Sequence, residues 1–313
     1  MNRQGYLGVM DRRWVGVLVL VLALVAVAAA PSLTGRRVAG SAEPVIFPDP
    51  PQVGECLISA FPVASGTEPA LPEISGDEAR FGECGGVVGG EVVAVWARAN
   101  DAGLGAGRPG RDPCYPSTAE FAGLVSTGRS TDLPGAQSTG PVRWRPTIGY
   151  DPVRVVPGDL ERRAGRDWLG CLAVPTGHVR YPGTLRDAFT TGAMPAQFGS
   201  CWTGANLDQV PLTVPCDQPH RAELLAMGWI RDRVDAPTEV IDESCFAIAG
   251  RIMRTADPTR NGELTVVADR MTSGVVSRPD APLTIACFVT SAGPQHLSGT
   301  LIGLADRPVP LVG

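Results

Sequence analysis

Eight cysteines constrain the fold of this 313-residue chain more than any other feature of its sequence. In exported proteins, an even number of cysteines is typical of a disulfide framework. No two of them stand in a C-x-x-C pair, so the sequence has neither a thioredoxin-like redox motif nor a zinc ribbon. The eight are Cys56, Cys84, Cys114, Cys171, Cys201, Cys216, Cys245 and Cys287. We therefore predict a fold held together by disulfide bonds.

The cysteines divide into two quartets with matching surroundings. In each quartet a glycine stands two residues before the first cysteine, and the third cysteine follows the second by 30 residues in one set and 29 in the other. Glu91 and Glu223 both stand 7 residues after the second cysteine of their set. The fourth cysteine is followed 12 residues later by Gly-Thr-Leu both times, at 183–185 and 299–301. Agreement at so many offsets predicts an internal duplication.

The two copies differ in length where surface loops are expected. The first and second cysteines are 28 residues apart in the N-terminal copy and 15 apart in the other, and the third and fourth are 57 and 42 apart. The additional residues include 62–79 and 126–141, which are rich in turn-forming residues. Because insertions of this kind cost little loop-closure entropy, both copies can share one fold.

Residue patterns around the cysteines indicate strands and one helix in each copy. The segments around the second and fourth cysteines mix β-branched, aromatic and other apolar residues over strand-like lengths. In the second copy, the third cysteine lies in EVIDESCFAIAGRIMR, whose acidic start and basic end suit a helix. The residues near one face of this helix are Val240, Cys245, Ile248 and Ile252. PSTAEFAGLV, beside Cys114, is the shorter counterpart.

These patterns predict an α+β fold with two tandem modules, at 53–190 and 191–313, each an antiparallel sheet with one packed helix. The simplest disulfide pairing joins the first cysteine to the second, and the third to the fourth, within each copy. The resulting pairs are Cys56–Cys84, Cys114–Cys171, Cys201–Cys216 and Cys245–Cys287. The sequence alone leaves the connectivity open, because eight cysteines can pair in about a hundred ways.

The N-terminal segment 14–30, WVGVLVLVLALVAVAAA, has 17 residues and no charge. A helix of that length spans about 26 Å, which is just enough for the hydrocarbon core of a bilayer. Two arginines precede it, so residues 1–13 are predicted to stay in the cytoplasm while the bulk of the chain is exported. We predict an uncleaved, single-pass signal anchor in the cell membrane, followed by a proline-rich linker at 31–52.

A cleaved signal peptide is the alternative interpretation of this segment. The small residues 28–30 resemble a signal-peptidase site, but Pro31 would follow the cut, which these peptidases generally reject. With the segment removed, the protein would be secreted and soluble.

The charged residues exclude several functions. All 27 basic residues are arginine, so the chain has no P-loop lysine, no lysine for a Schiff base and no Ser-x-x-Lys pair. The net charge of −5 makes nucleic acid an unsuitable partner, since a protein attracts nucleic acid with a basic face.

The segment VPCDQPHRAELLA, residues 214–226, brings a cysteine, a histidine and a glutamate close together in sequence. His220 and Glu223 are the residues on which a metal-dependent or acid/base envelope hydrolase would be centred. The N-terminal copy keeps the glutamate as Glu91 but has Val88 where His220 stands. The glutamate therefore belongs to the shared pattern and the histidine does not, which favours a structural role. We predict no catalytic residue, no bound metal and no cofactor.

The second copy resembles the septum formation domain of exported proteins from GC-rich Gram-positive bacteria. The resemblance lies in the order G-x-C, V-P-C-x-x-P-H-x-x-E, a helical cysteine and a strand cysteine. The matching residues are Cys201, Cys216, Pro219, His220, Glu223, Cys245 and Cys287. The first copy matches at Pro157, Gly165, Trp168 and Cys171, but it departs at the proline–histidine pair and is degenerate. Together the copies cover roughly residues 53–310.

The resemblance implies an envelope protein linked to septum formation, with no established reaction or ligand. We therefore expect a non-catalytic, membrane-anchored, extracytoplasmic scaffold that binds other envelope or division proteins. Two alternatives stay open. One is the envelope hydrolase centred on His220 and Glu223, and the other is a secreted, soluble binding protein.

Overall fold

The computed structural model describes residues 12–33, 45–60, 72–102, 112–127, 130–132, 142–204, 212–230, 237–270 and 283–313. Most of the predicted tail, residues 34–44 of the predicted linker and parts of the insertions at 62–79 and 126–141 lie outside the described residues. Over the described residues the chain is α+β, as predicted.

The described residues form five α-helices, two 3-10 turns and eighteen strands. The helices are α1 (Arg12–Leu33), α2 (Cys114–Phe121), α3 (Asp159–Arg163), α4 (Ala188–Thr191) and α5 (Thr238–Met253), and the 3-10 turns are at Ala99–Ala102 and Ala196–Phe198. The strands of the N-terminal half are β1 (Cys56–Leu57), β2 (Glu73–Ser75), β3 (Phe81–Gly82), β4 (Val87–Val88), β5 (Glu91–Trp96), β6 (Val125–Thr127), β7 (Ser130–Asp132), β8 (Arg143–Pro146), β9 (Tyr150–Val156), β10 (Leu169–Pro175) and β11 (Tyr181–Pro182). The strands of the C-terminal half are β12 (Cys201–Trp202), β13 (Thr213–Val214), β14 (Ala222–Ile230), β15 (Leu264–Arg270), β16 (Leu283–Ser291), β17 (His296–Leu297) and β18 (Leu311–Val312).

Helix α1 includes the apolar segment 14–30. The structure describes the side chains of this helix from Trp14 to Val27, and they are exposed. Across the part of the chain that the structure describes, no helix combines the length and the apolarity of a membrane span, so the span predicted at 14–30 is not observed there.

The first sheet has six strands in the order β2-β9-β10-β5-β1-β3. Its neighbouring strands are antiparallel except β2 and β9, which are parallel, so the prediction of a purely antiparallel sheet is wrong at this edge. Strand β10, with the sequence LGCLAVP, is buried along its whole length, as a continuous apolar run predicts for a strand covered on both faces. Its alternate side chains enter two different clusters. Cys171 and Ala173 belong to the main hydrophobic core, whereas Leu172 and Val174 belong to a second cluster. The fourth cysteine of the first quartet is thereby directed into the main core.

The second sheet follows the path β13-β12-β14-β16-β15, and β8 also pairs with β14. Strand β8 comes from the N-terminal half, yet it lies antiparallel to Ala226–Trp229 of β14. The main core also contains residues from both halves, among them Phe121, Phe189, Leu225 and Ile248. Residues Asp49–Gly313 form one compact unit, and the module boundary predicted at 190/191 falls inside it.

Both halves use the same strand order around their cysteines. This order is β1-β5-β10-β9 in the first sheet and β12-β14-β16-β15 in the second. The corresponding register pairs are Cys56↔Glu91 with Cys201↔Glu223, and Cys171↔Ala94 with Cys287↔Ala226. A shift in register falls at Val93 in one half and at Leu225 in the other, one residue before the paired alanine. The spacing shared by the two sequences therefore corresponds to shared strand register.

Four disulfide bonds stabilise the fold, and they join the cysteines of the simplest sequence pairing. The bonds are Cys56–Cys84, Cys114–Cys171, Cys201–Cys216 and Cys245–Cys287. The second bond joins α2 to β10, and the fourth joins α5 to β16. Each half thus has one bond that fastens a helix to its sheet, although the chain also has the short helices α3 and α4, which the prediction of one helix per module did not include.

Helix α5 packs one face against the second sheet. Cys245, Ile248 and Ile252 are buried on that face, in agreement with the helical periodicity of the sequence. Val240 is only half-buried, and Ile241 is buried in its place. Because α5 begins at Thr238, both residues lie in its first turn, where the apolar stripe shifts by one position.

Candidate functional site

Glu223 is the polar residue at the centre of the candidate site in the second half. It lies on β14 opposite Cys201, and it is fully buried. Its carboxylate accepts hydrogen bonds from Oγ1 of Thr300 (2.6 Å) and from the backbone N–H of Leu301 (2.5 Å). Burial raises the pKa of Glu223 to about 7, although these two hydrogen bonds act in the opposite direction. The carboxyl group therefore holds in place the loop that follows the last cysteine.

Glu91 has the same role in the first half. It lies on β5 opposite Cys56 and is buried. Its carboxylate accepts hydrogen bonds from Oγ1 of Thr184 and from the backbone N–H of Leu185. The hydroxyl of Tyr181 donates a third hydrogen bond at 3.1 Å. Both glutamates that the sequence analysis singled out are thus internal acceptors.

We call this arrangement the glutamate clamp. It consists of Glu91, Thr184 and Leu185 in the first half and of Glu223, Thr300 and Leu301 in the second. The threonine hydroxyl also accepts a hydrogen bond from the backbone N–H two residues later, of Arg186 (3.0 Å) and of Ile302 (3.2 Å) respectively. The threonine hydroxyl thus donates a hydrogen bond to the glutamate carboxylate and accepts one from the backbone of the turn. Because both halves make these two hydrogen bonds, Gly-Thr-Leu occurs at the same offset in both copies. The sequence showed that offset, but it did not link the threonine to the glutamate.

His220 is buried beside the second clamp. Its backbone N–H and C=O pair with those of Leu297 at 2.9 and 2.8 Å. Its ring Nδ1 lies 2.8 Å from the carbonyl oxygen of Gln218, so Nδ1 carries the hydrogen and donates it. The other ring nitrogen, Nε2, is buried and has no hydrogen-bond partner among the described residues. Burial lowers the pKa of His220, which favours the neutral ring. The preceding residue, Pro219, is exposed in the turn.

The first half replaces this histidine with a different pair of side chains. Val88 pairs with Tyr181 across strands β4 and β11, as His220 pairs with Leu297 across an isolated bridge. The first half therefore has a valine and a tyrosine where the second half has a histidine and a leucine. The tyrosine hydroxyl then reaches Glu91. The departure of the first copy at the proline–histidine pair is thus accompanied by a second difference, far along the chain, at the position that pairs with it.

Four groups that can bind metals meet at the second clamp. One atom from each of Cys201, Cys216, His220 and Glu223 lies within 4.8 Å of all the others, and all four residues are buried. In the first half the corresponding group has only three members, Cys56, Cys84 and Glu91. The structure therefore brings together the histidine and glutamate that the sequence proposed, next to sulfur atoms that are paired in a disulfide.

Gly199 makes room for this group. A Cβ atom at this position would lie 2.2 Å from Sγ of Cys216 and 3.1 Å from Oε1 of Glu223. The cleft that Gly199 lines with Ser200 has a volume of about 20 Å³. Such a volume holds about one water molecule, so this cleft has no room for a substrate.

Comparisons with protein-family models, with curated proteins and with solved structures gave no match.

Proposed function

We propose that this chain is a non-catalytic, disulfide-stapled scaffold of the cell envelope, built from two tandem modules, that binds another envelope or division protein. The observation that carries this proposal is the repeated glutamate clamp. In both halves the buried carboxylate is engaged by a threonine hydroxyl and a backbone N–H. A general acid or base must instead reach a proton on its substrate.

The disulfide bonds support an extracytoplasmic location. All eight cysteines are paired in the structure. Disulfide bonds persist in oxidising compartments and are rare in the bacterial cytoplasm. The link to septum formation has a different basis, since it rests on the resemblance of the cysteine pattern alone.

The first prediction tests the scaffold against the hydrolase. Replacing His220 with valine and Leu297 with tyrosine gives the second half the side chains that the first half has at Val88 and Tyr181. Because the two changes exchange volume across one strand pair, we expect the free energy of unfolding to change by less than about 1.5 kcal/mol. We also expect the variant to restore normal septa in a deletion strain, scored by microscopy of dividing cells.

The control for this experiment is the single His220→Val variant, which removes the ring without refilling its space. A hydrolase that depends on His220 would lose function in both variants while the double variant stayed stable. That outcome would contradict the scaffold function and support the hydrolase instead. Chemical cross-linking of the tagged chain in living cells then identifies the proteins that it contacts.

The second prediction concerns attachment to the membrane. We propose that the apolar segment 14–30 anchors the chain there. The mature protein is expected to keep this segment and to stay with the membrane during alkaline carbonate extraction, because an apolar helix is not released by breaking ionic contacts. N-terminal sequencing of the mature chain checks this directly. A mature chain that begins after Ala30, recovered from the medium, would instead support the secreted binding protein.

A further inference from the structure

We propose that the Cys201–Cys216 disulfide conceals a zinc site, which forms when that bond is reduced. The ligands are the two cysteine thiolates, Nε2 of His220 and the carboxylate of Glu223. This site goes beyond the proposed scaffold function and does not depend on it.

The four residues lie close enough together to share one metal ion. Ligand atoms from the four residues already lie within 4.8 Å of one another. Zinc bonds of about 2.3 Å to sulfur and about 2.0 Å to nitrogen or oxygen place tetrahedral ligand atoms roughly 3.3–3.8 Å apart. The two sulfurs, once freed from each other, need to separate by only about 2 Å. Gly199 leaves the space between Cys216 and Glu223 open, because it has no Cβ atom there.

The hydrogen bonding of His220 is an independent indication of a metal ligand. Histidines that bind metals commonly donate one ring N–H to a backbone carbonyl, which directs the lone pair of the other nitrogen to the metal. In this structure Nδ1 donates to the carbonyl of Gln218, and Nε2 is buried without a partner among the described residues. A buried acceptor left unpaired costs free energy, and a zinc ion would relieve that cost.

The first half provides a comparison within the same chain. Cys56, Cys84 and Glu91 approach one another in the same way, but Val88 replaces the histidine. Glu91 is also held by the hydroxyl of Tyr181 in addition to its own clamp. We therefore expect one zinc ion per chain, bound in the second half.

The chemical step balances with a thiol-type reductant. A dithiol gives two electrons and two protons to the Cys201–Cys216 bond, so the S–S bond breaks, two thiols form and the dithiol becomes a disulfide. Zinc then replaces the two thiol protons, which are released to solvent. Reoxidation of the two thiolates by a disulfide expels the ion.

The test uses the full chain, reduced with a water-soluble phosphine, because dithiols themselves chelate zinc. The phosphine takes the oxygen of a water molecule and becomes a phosphine oxide as each disulfide gives two thiols. Cobalt(II) serves as a spectroscopic substitute, and zinc affinity is measured by competition with a coloured chelator. We expect one metal ion per reduced chain, thiolate-to-cobalt absorption, and no binding by the oxidised chain.

Two variants decide the assignment. His220→Val is expected to weaken zinc binding at least 100-fold, since loss of even an outer partner of a ligand costs 10–100-fold. The matched control, Cys56→Ser with Cys84→Ser, is expected to bind as the wild type does. Equal binding by wild type and His220→Val would overturn the site.

A separate readout covers the case in which reduction unfolds the chain. Zinc is then expected to restore protease resistance to the reduced wild type and not to His220→Val, because metal binding and folding are coupled. Failure of zinc to protect the reduced wild type would also overturn the site. Neither outcome bears on the scaffold, which the septum experiment tests with the oxidised protein.

Discussion

Replacing Gly199 with alanine is expected to prevent the Cys201–Cys216 bond from closing and to lower the free energy of unfolding by about 5 kcal/mol. The added Cβ would lie 2.2 Å from Sγ of Cys216, and the buried carboxylate of Glu223 limits movement on that side. Loss of a bond that closes about 15 residues costs about 3 kcal/mol, and overpacking a rigid site adds 1–3 kcal/mol.

Urea unfolding and a count of free thiols under denaturing conditions measure this effect. The control is Gly54→Ala, at the corresponding position of the first half. Gly54 has a φ of +92°, and the three heavy atoms nearest to its Cβ would all belong to the movable guanidinium of Arg186. We therefore expect backbone strain of about 1–2 kcal/mol there, with the disulfide intact. A Gly199→Ala protein without free thiols and with the wild-type unfolding midpoint would contradict the prediction.

Replacing Glu223 with alanine is expected to lower the free energy of unfolding by about 4 kcal/mol. The change leaves the N–H of Leu301 and the hydroxyl of Thr300 without their acceptor, and an unpaired buried donor costs about 1–3 kcal/mol. Removing a buried side chain also leaves a cavity. Urea unfolding measures the loss, and hydrogen exchange at Leu301 shows whether the clamp has opened.

Two further variants separate the clamp from general loss of packing. Glu223→Gln keeps one acceptor oxygen and nearly the same volume, so we expect it to lose only about half as much stability. Glu91→Ala breaks the first clamp and is expected to cost about as much as the alanine change at Glu223. A change of less than 1 kcal/mol in Glu223→Ala would show that the clamp does not stabilise the fold.

The local features of the fold could be predicted from the sequence. The helical face around Cys245 and the apolar run of β10 are encoded by neighbouring residues, and periodicity reports them. The matching offsets of the cysteines and glutamates also predicted positions that prove to share strand register.

Features that depend on distant pairs could not be predicted. Strand β8 pairs with β14 although about 80 residues separate them, and its own sequence gives no sign of that partner. The exchange of Val88 and Tyr181 for His220 and Leu297 is equally non-local. Each side chain taken alone is an ordinary difference between the copies, and only the folded chain shows that the two differing positions pair with each other.

Every disulfide in this protein joins a cysteine to the next cysteine along the chain. A chain that is threaded outward from its N-terminus presents its thiols in that same order. An oxidase that closes each pair as soon as its second member emerges would therefore make the native bonds directly. In an exported chain this order of pairing would let the native bonds form without rearrangement by a disulfide isomerase.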